Sequence, residues 1–120
     1  MVRILLRETH PDVIDVFREL VTHEGHTVCT ATTIRDAERT LKGEAIDLLL
    51  TDLHAHDGKV LPWRAARRPE LEARGTRTVI QTGVADRDLL RSRDQVGLTW
   101  LVRPYGLEEL MTLVDRQTIR

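Results

Sequence analysis

In the octet "TDLHAHDG", residues 51–58, the positions Asp52, His54, His56 and Asp57 are all acids or imidazoles. Residues of these kinds, packed this closely, have three readings. The His-x-His pair can ligate a transition metal for hydrolysis. An aspartate at a strand end can accept a phosphoryl group beside a turn. A polar loop can also carry such residues with no chemistry at all. Asp52 closes an apolar run, which sets it apart from the two histidines. The choice depends on the elements that hold the octet.

A chain of 120 residues has room for one domain around one core, here residues 1–120. A net charge of −1, with one Tyr, one Phe and two Trp, supplies neither the basic excess nor the aromatic interleaving of a nucleic-acid binder. Arginines gather over residues 64–77, where a solvated helix face and loop are expected. Cys29 is alone, which excludes a disulfide framework and a cysteine metal cluster. Arg3 and Arg7 interrupt the apolar start, unlike a signal peptide, and no apolar run approaches a membrane span. A cytoplasmic location with no membrane contact is expected.

Two periods alternate along the chain. Apolar runs of strand length lie at residues 2–6, 27–31, 46–51, 78–82 and 99–102. The first and third are apolar at consecutive positions, as strands covered on both faces require. Helical spacing joins Val13, Val16, Phe17, Leu20 and Val21, and again Leu107, Leu110, Met111, Val114 and Thr118. Thr32 or Thr33 can cap a helix carrying Ile34, Ala37 and Leu41. The segment after Gly58 is interrupted by Pro62, tolerable only in a first helical turn. A further helix is expected over 86–95, weakly specified, with little beyond Leu89 and Leu90. The alternation predicts an α/β domain: a doubly wound, flavodoxin-like, five-stranded parallel sheet in the order 2-1-3-4-5, with helices on both faces.

In such a sheet ligands bind beyond the carboxyl ends of the strands. Those ends carry Glu8-Thr9-His10, Asp52, Thr82-Gly83 and Arg103-Pro104. Carboxylates suit a hard divalent cation, while a hydroxyl and a fixed cation suit phosphoryl oxygens.

On these residues the whole chain resembles the receiver domain of bacterial two-component response regulators. "RILLRETHPDV" is similar to the family's first strand and acidic loop, and "DLLLTDL" to the strand bearing its acceptor aspartate. "VIQTG" is similar to the hydroxyl-bearing strand, and "WLVRPY" to the lysine-proline-aromatic strand. The resemblance implies that Asp52 accepts a phosphoryl group from a sensor histidine kinase or phosphotransfer protein. It implies that Glu8 and Asp52, with the His54 backbone carbonyl, bind Mg2+. Thr82 would follow the phosphoryl group, and a cis peptide before Pro104 would aim Arg103 into the pocket. Trp100 stands at the aromatic switch position, and it equally fits a half-buried strand aromatic. The signal would leave through the fourth helix, fifth strand and fifth helix, toward an output domain or a second copy. No turnover beyond the domain's own phosphorylation is implied, so the domain would not be an enzyme.

The departures also carry information. Thr9 stands at the family's second acid, Arg103 at its lysine, and Arg7 where an apolar strand residue is usual. The loop after Asp52 is shorter by about two residues, with Ala55-His56 in place of Met-Pro. Glu8, Asp52 and Arg103 sum to −1, so a weak Mg2+ site, or none, is expected. An Arg103–Asp52 pair could hold the site closed without phosphate. That alternative is a phosphorylation-independent pseudo-receiver, an interaction module of the same fold. His10, His54 and His56 share one sheet edge, where either an adventitious transition-metal site or exposed loop histidines would fit.

Overall fold

The computed structural model describes residues 1–83, 98–103 and 105–116. The expected helix over 86–95, the Arg103–Pro104 peptide and Thr118 lie outside the described residues. Parallel strands β1 (Arg3–Arg7), β2 (Thr27–Ala31), β3 (Leu48–Asp52), β6 (Arg77–Gly83) and β7 (Leu98–Arg103) form a sheet in the order β2-β1-β3-β6-β7. This is the predicted 2-1-3-4-5 order of the major strands. The shift of β1 by one residue relative to the apolar run matters, because it brings Arg7 into the sheet, paired with Thr51 of β3.

Helices α1 (Pro11–His23), α2 (Ile34–Gly43), α3 (Val60–Ala73) and a C-terminal helix (Leu107–Asp115) cover the sheet. Side chains alternate between its faces. Ile4, Leu6, Leu48, Leu50 and Leu101 pack with Phe17 and Val21 of α1 and with Leu110 and Val114 of the C-terminal helix. Leu5 and Leu49 pack on the other face with Ala37 and Leu41 of α2 and Leu71 of α3. The β1 and β3 runs are apolar at successive positions because both faces are covered.

Some expectations need correction. Of the α1 stripe only Phe17 and Val21 are buried; Val13 and Val16 are 37% and 57% exposed. The segment after Gly58 is one helix, with Pro62 in its first turn and Pro69 inside it. The arginine cluster is not simply a solvated face. Arg64 is buried and donates through Nε to Thr78 Oγ1 at 3.2 Å, and Arg67 bonds Glu38 of α2.

The short loop after Asp52 folds on itself as a two-stranded antiparallel hairpin, β4 (His54–Ala55) and β5 (Gly58–Lys59). This places Asp57 at the start of α2. Its Oδ1 accepts from Ile34 N at 2.9 Å and its Oδ2 from Arg35 N at 3.0 Å. Thr33 Oγ1 accepts from Asp36 N at 3.0 Å, so the first three donors of α2 are satisfied from two places in the chain. Asp57 is therefore a helix cap supplied from a distant loop. The Ile34 N–H is the largest cause of a lowered Asp57 pKa; burial opposes it and the Arg35 N–H adds to it.

Both tryptophans pack at the margin of the core, with different polar outcomes. Trp63 Nε1 donates to Glu38 Oε1 at 2.6 Å, whereas the buried Trp100 Nε1 has no partner among the described residues. Trp63→Phe should thus cost about 1 kcal/mol more than Trp100→Phe in urea unfolding. Asp57→Ala should cost about 1 kcal/mol near neutral pH, since it removes the cap. Because the folded Asp57 pKa is depressed, the wild-type advantage is complete above the unfolded value of about 3.9. It should fade as the pH falls from there through the folded value, which unfolding of both proteins across acid pH would show.

Candidate functional site

The strand ends meet around Asp52. Asp52 closes β3 opposite Gln81 of β6, and its side chain is only 10% exposed. A cavity of about 360 Å³ opens above it, walled by Thr9, His10, Asp52, His54, Ala55, His56, Gly83 and Arg103. Glu8, Thr82 and Trp100 are not among these walls. Glu8 is buried just after β1, its N–H bonded to Ala31 O at 2.9 Å. Thr82 is buried one residue past Gln81, and its hydroxyl donates to Gly83 O at 3.5 Å. Trp100 lies against the Ile34, Leu53, Val60 and Ile80 cluster.

Arg103 reaches in from β7. Its Nη2 donates to Asp52 Oδ1 at 2.9 Å and lies 3.6 Å from Glu8 Oε1, so one nitrogen bridges both carboxylates. The same nitrogen is 3.2 Å from Gln81 Oε1, which also accepts from the Tyr105 hydroxyl at 3.2 Å. Burial raises the Tyr105 pKa; Arg103 opposes that rise and Glu8 adds to it. The phenol therefore stays protonated and able to donate. Gln81 and Tyr105 thus position the arginine, a role for Gln81 that a strand-pattern reading does not reveal.

Arg7 comes from the opposite face of the sheet and is fully buried. Its Nε donates to Thr51 Oγ1 at 2.8 Å and its Nη1 to Thr32 O at 3.0 Å. Its Nη2 donates to Asp52 O at 3.1 Å and to His54 O at 2.6 Å. Burial lowers the Arg7 pKa, while Asp52, Glu8 and Asp57, in that order, oppose the loss of its charge. The sequence marked Arg7 as unusual without showing its use. A cation ending a doubly covered strand must find acceptors, and that was the available signal. With Arg7 included, the two carboxylates face two guanidinium groups, and the formal sum of −1 becomes zero.

This donor set does not fit a divalent cation. Glu8 and Asp52 share Arg103, the His54 carbonyl is taken by Arg7, and Thr9 brings no carboxylate. The histidines form no transition-metal centre either: His10 lies 3.6 Å from Glu8 Oε1, and no three ligating side chains converge among the described residues.

Removing Arg7 takes a donor from Thr51 Oγ1 and from the Thr32, Asp52 and His54 carbonyls, and it leaves Glu8 and Asp52 with Arg103 as their one neighbouring guanidinium among the described residues. Arg7→Met should cost about 3–5 kcal/mol. Arg103 is 38% exposed, and solvent can enter where it leaves, so Arg103→Met should cost about 1 kcal/mol. Urea unfolding of the two variants side by side would check the ranking.

No protein-family model and no curated protein matches the sequence. Solved structures do match the fold. The receiver domain of TorR, the TMAO respiratory system response regulator, superposes with a TM-score of 0.79 at 23% identity, over 98% of this chain and 97% of that one. TrrA, a response regulator of Thermotoga maritima solved in complex with Mg2+-BeF, gives a TM-score of 0.81 at 19% identity, over 98% and 99%. The beryllofluoride-activated NtrC4 receiver domain dimer gives 0.79 at 17% identity, over 98% and 96%. The chain has the fold of a response-regulator receiver domain.

Proposed function

We propose that the chain is a cytoplasmic signalling receiver in which Asp52 accepts a phosphoryl group from the phosphohistidine of a sensor kinase or phosphotransfer protein. The observation that carries this reading is the placement of Asp52. Its carboxylate sits at the carboxyl end of the central strand, beneath a cavity rimmed by Arg103 and three histidines. Arg103 holds Oδ1, so attack on phosphorus falls to Oδ2. As the Oδ2–P bond forms, the P–N bond breaks and its electron pair returns to the donor imidazole. The arginines offset charge on the transferring group. The reaction is the domain's own modification, with no further turnover.

A phosphoryl group on Asp52 would compete for Arg103 and loosen its contact with Gln81, beside Tyr105. That path leads to β7 and the C-terminal helix, two parts of the face through which the signal would leave. An output domain or a second copy is the proposed reader, as NtrC4 forms a receiver dimer. Neither nucleic acid nor membrane is proposed as a partner of this domain.

Incubation with acetyl phosphate and analysis by mass spectrometry tests the reading. Wild type should gain one phosphoryl group, mapped to Asp52, and Asp52→Asn should gain none. If neither acetyl phosphate nor phosphoramidate labels Asp52, the second reading holds. That reading is the phosphorylation-independent interaction module, and the Arg103–Asp52 bond supports it.

A further inference from the structure

Around Asp52 there are as many guanidinium groups as carboxylates without any metal: Arg103 in the pocket wall and Arg7 behind it, against Asp52 and Glu8. Each group that the receiver pattern would offer to a divalent ion already has a guanidinium nitrogen beside one of its oxygens. Glu8 Oε1 and Asp52 Oδ1 lie 3.6 and 2.9 Å from Arg103 Nη2, and His54 O lies 2.6 Å from Arg7 Nη2. The two arginines differ in access. Arg103 is partly exposed and can swing out, whereas Arg7 is enclosed and bonded through all three nitrogens. An enclosed guanidinium cannot leave to admit a hydrated ion, and it holds its charge at any physiological pH.

We propose that Arg7 is a resident cation behind this pocket: it fixes the His54 carbonyl and the Asp52 backbone where a divalent ion would otherwise draw them, so Asp52 is phosphorylated without metal. The inference rests on the phosphoryl-accepting reading for its consequence, while the exclusion of metal stands on the contacts alone. Arg7 acts here as a positioning residue, since its described hydrogen bonds go to the backbone and Thr51, away from the attacking oxygen. A purely architectural arginine would leave the metal dependence of the site unchanged when replaced.

The test uses the full chain in two arms. In the first, labelling by acetyl phosphate is followed by mass spectrometry in EDTA and in magnesium. Wild type should label equally in both. Arg7→Met should label roughly 10-fold less in EDTA and recover with magnesium. Arg7→Lys, which keeps the charge, should retain labelling in EDTA. In the second arm, free Mn2+ is followed by electron paramagnetic resonance. Wild type should show no saturable binding below the millimolar range, and Arg7→Met should gain it. Loss of wild-type labelling in EDTA, or submillimolar Mn2+ binding with Arg7 in place, would overturn the proposal. If no variant labels but the Mn2+ pattern holds, the phosphoryl-accepting reading fails and metal exclusion by Arg7 survives. If Arg7→Met does not fold, wild type and Arg7→Lys decide, since wild type tests both arms directly.

Discussion

A fully buried guanidinium at the end of β1 is the constraint around which this end of the molecule is organised. A charge removed from water is tolerated only when its donors are bonded and opposite charge is close. Arg7 meets the first condition with Thr51, with the Thr32 carbonyl at the β2–α2 junction, and with the Asp52 and His54 carbonyls. It meets the second with Asp52 and Glu8. Two connections that leave the sheet edge, after β2 and after β3, are thereby held to one side chain. The short hairpin after Asp52 is part of the same arrangement, since its first residue is bonded to Arg7 and its turn supplies the α2 cap.

What could be read in the sequence was what depends on local period. Continuous apolar runs marked β1 and β3, the Thr33 cap marked the start of α2, and the strand-end residues Glu8, Asp52 and Arg103 pointed to one pocket. What could not be read depends on contacts across long separations. Arg7 and Thr51 meet only because β1 and β3 pair in that register, 44 residues apart. Asp57 caps a helix 23 residues before it, so beside two histidines it resembled chemistry more than architecture. Arg64 reads from the sequence as one more solvated arginine, because charge composition carries no information about which side of α3 faces Thr78. Likewise Gln81 is an ordinary polar strand residue until Arg103 and Tyr105 are both placed against it.

The four letters of chemistry in the opening octet thus separate by environment. Asp52 is buried, with Arg103 on its carboxylate and Arg7 on its backbone carbonyl. His54 contributes its backbone oxygen to Arg7, while its side chain is exposed with that of His56 at the rim. Asp57 serves the helix. Similar residue types acquire different roles because burial and partner, more than identity, set what an acid or imidazole can do.

In the proposed reading the two arginines divide the work of a single cation. A divalent ion concentrates its charge at one point and binds both the acceptor and the group that arrives. Here the permanent, enclosed charge of Arg7 lies behind the acceptor backbone, and the accessible charge of Arg103 lies in front of the carboxylate. Because the formal charge of the set is already zero, a phosphoryl group carrying about −1.5 to −2 would leave the pocket negative. Arg7 cannot move to meet it without giving up its bonds to Thr51 and to the Thr32, Asp52 and His54 carbonyls. Among the described residues Arg103 can, and its departure from Gln81 would free one of the two donors on that amide oxygen. The other donor, Tyr105, directly precedes Gly106 at the start of the C-terminal helix. On the proposed reading the fixed cation makes the accessible one informative: with one guanidinium held, charge added at Asp52 would be answered by the other, on the strand that leads to that helix.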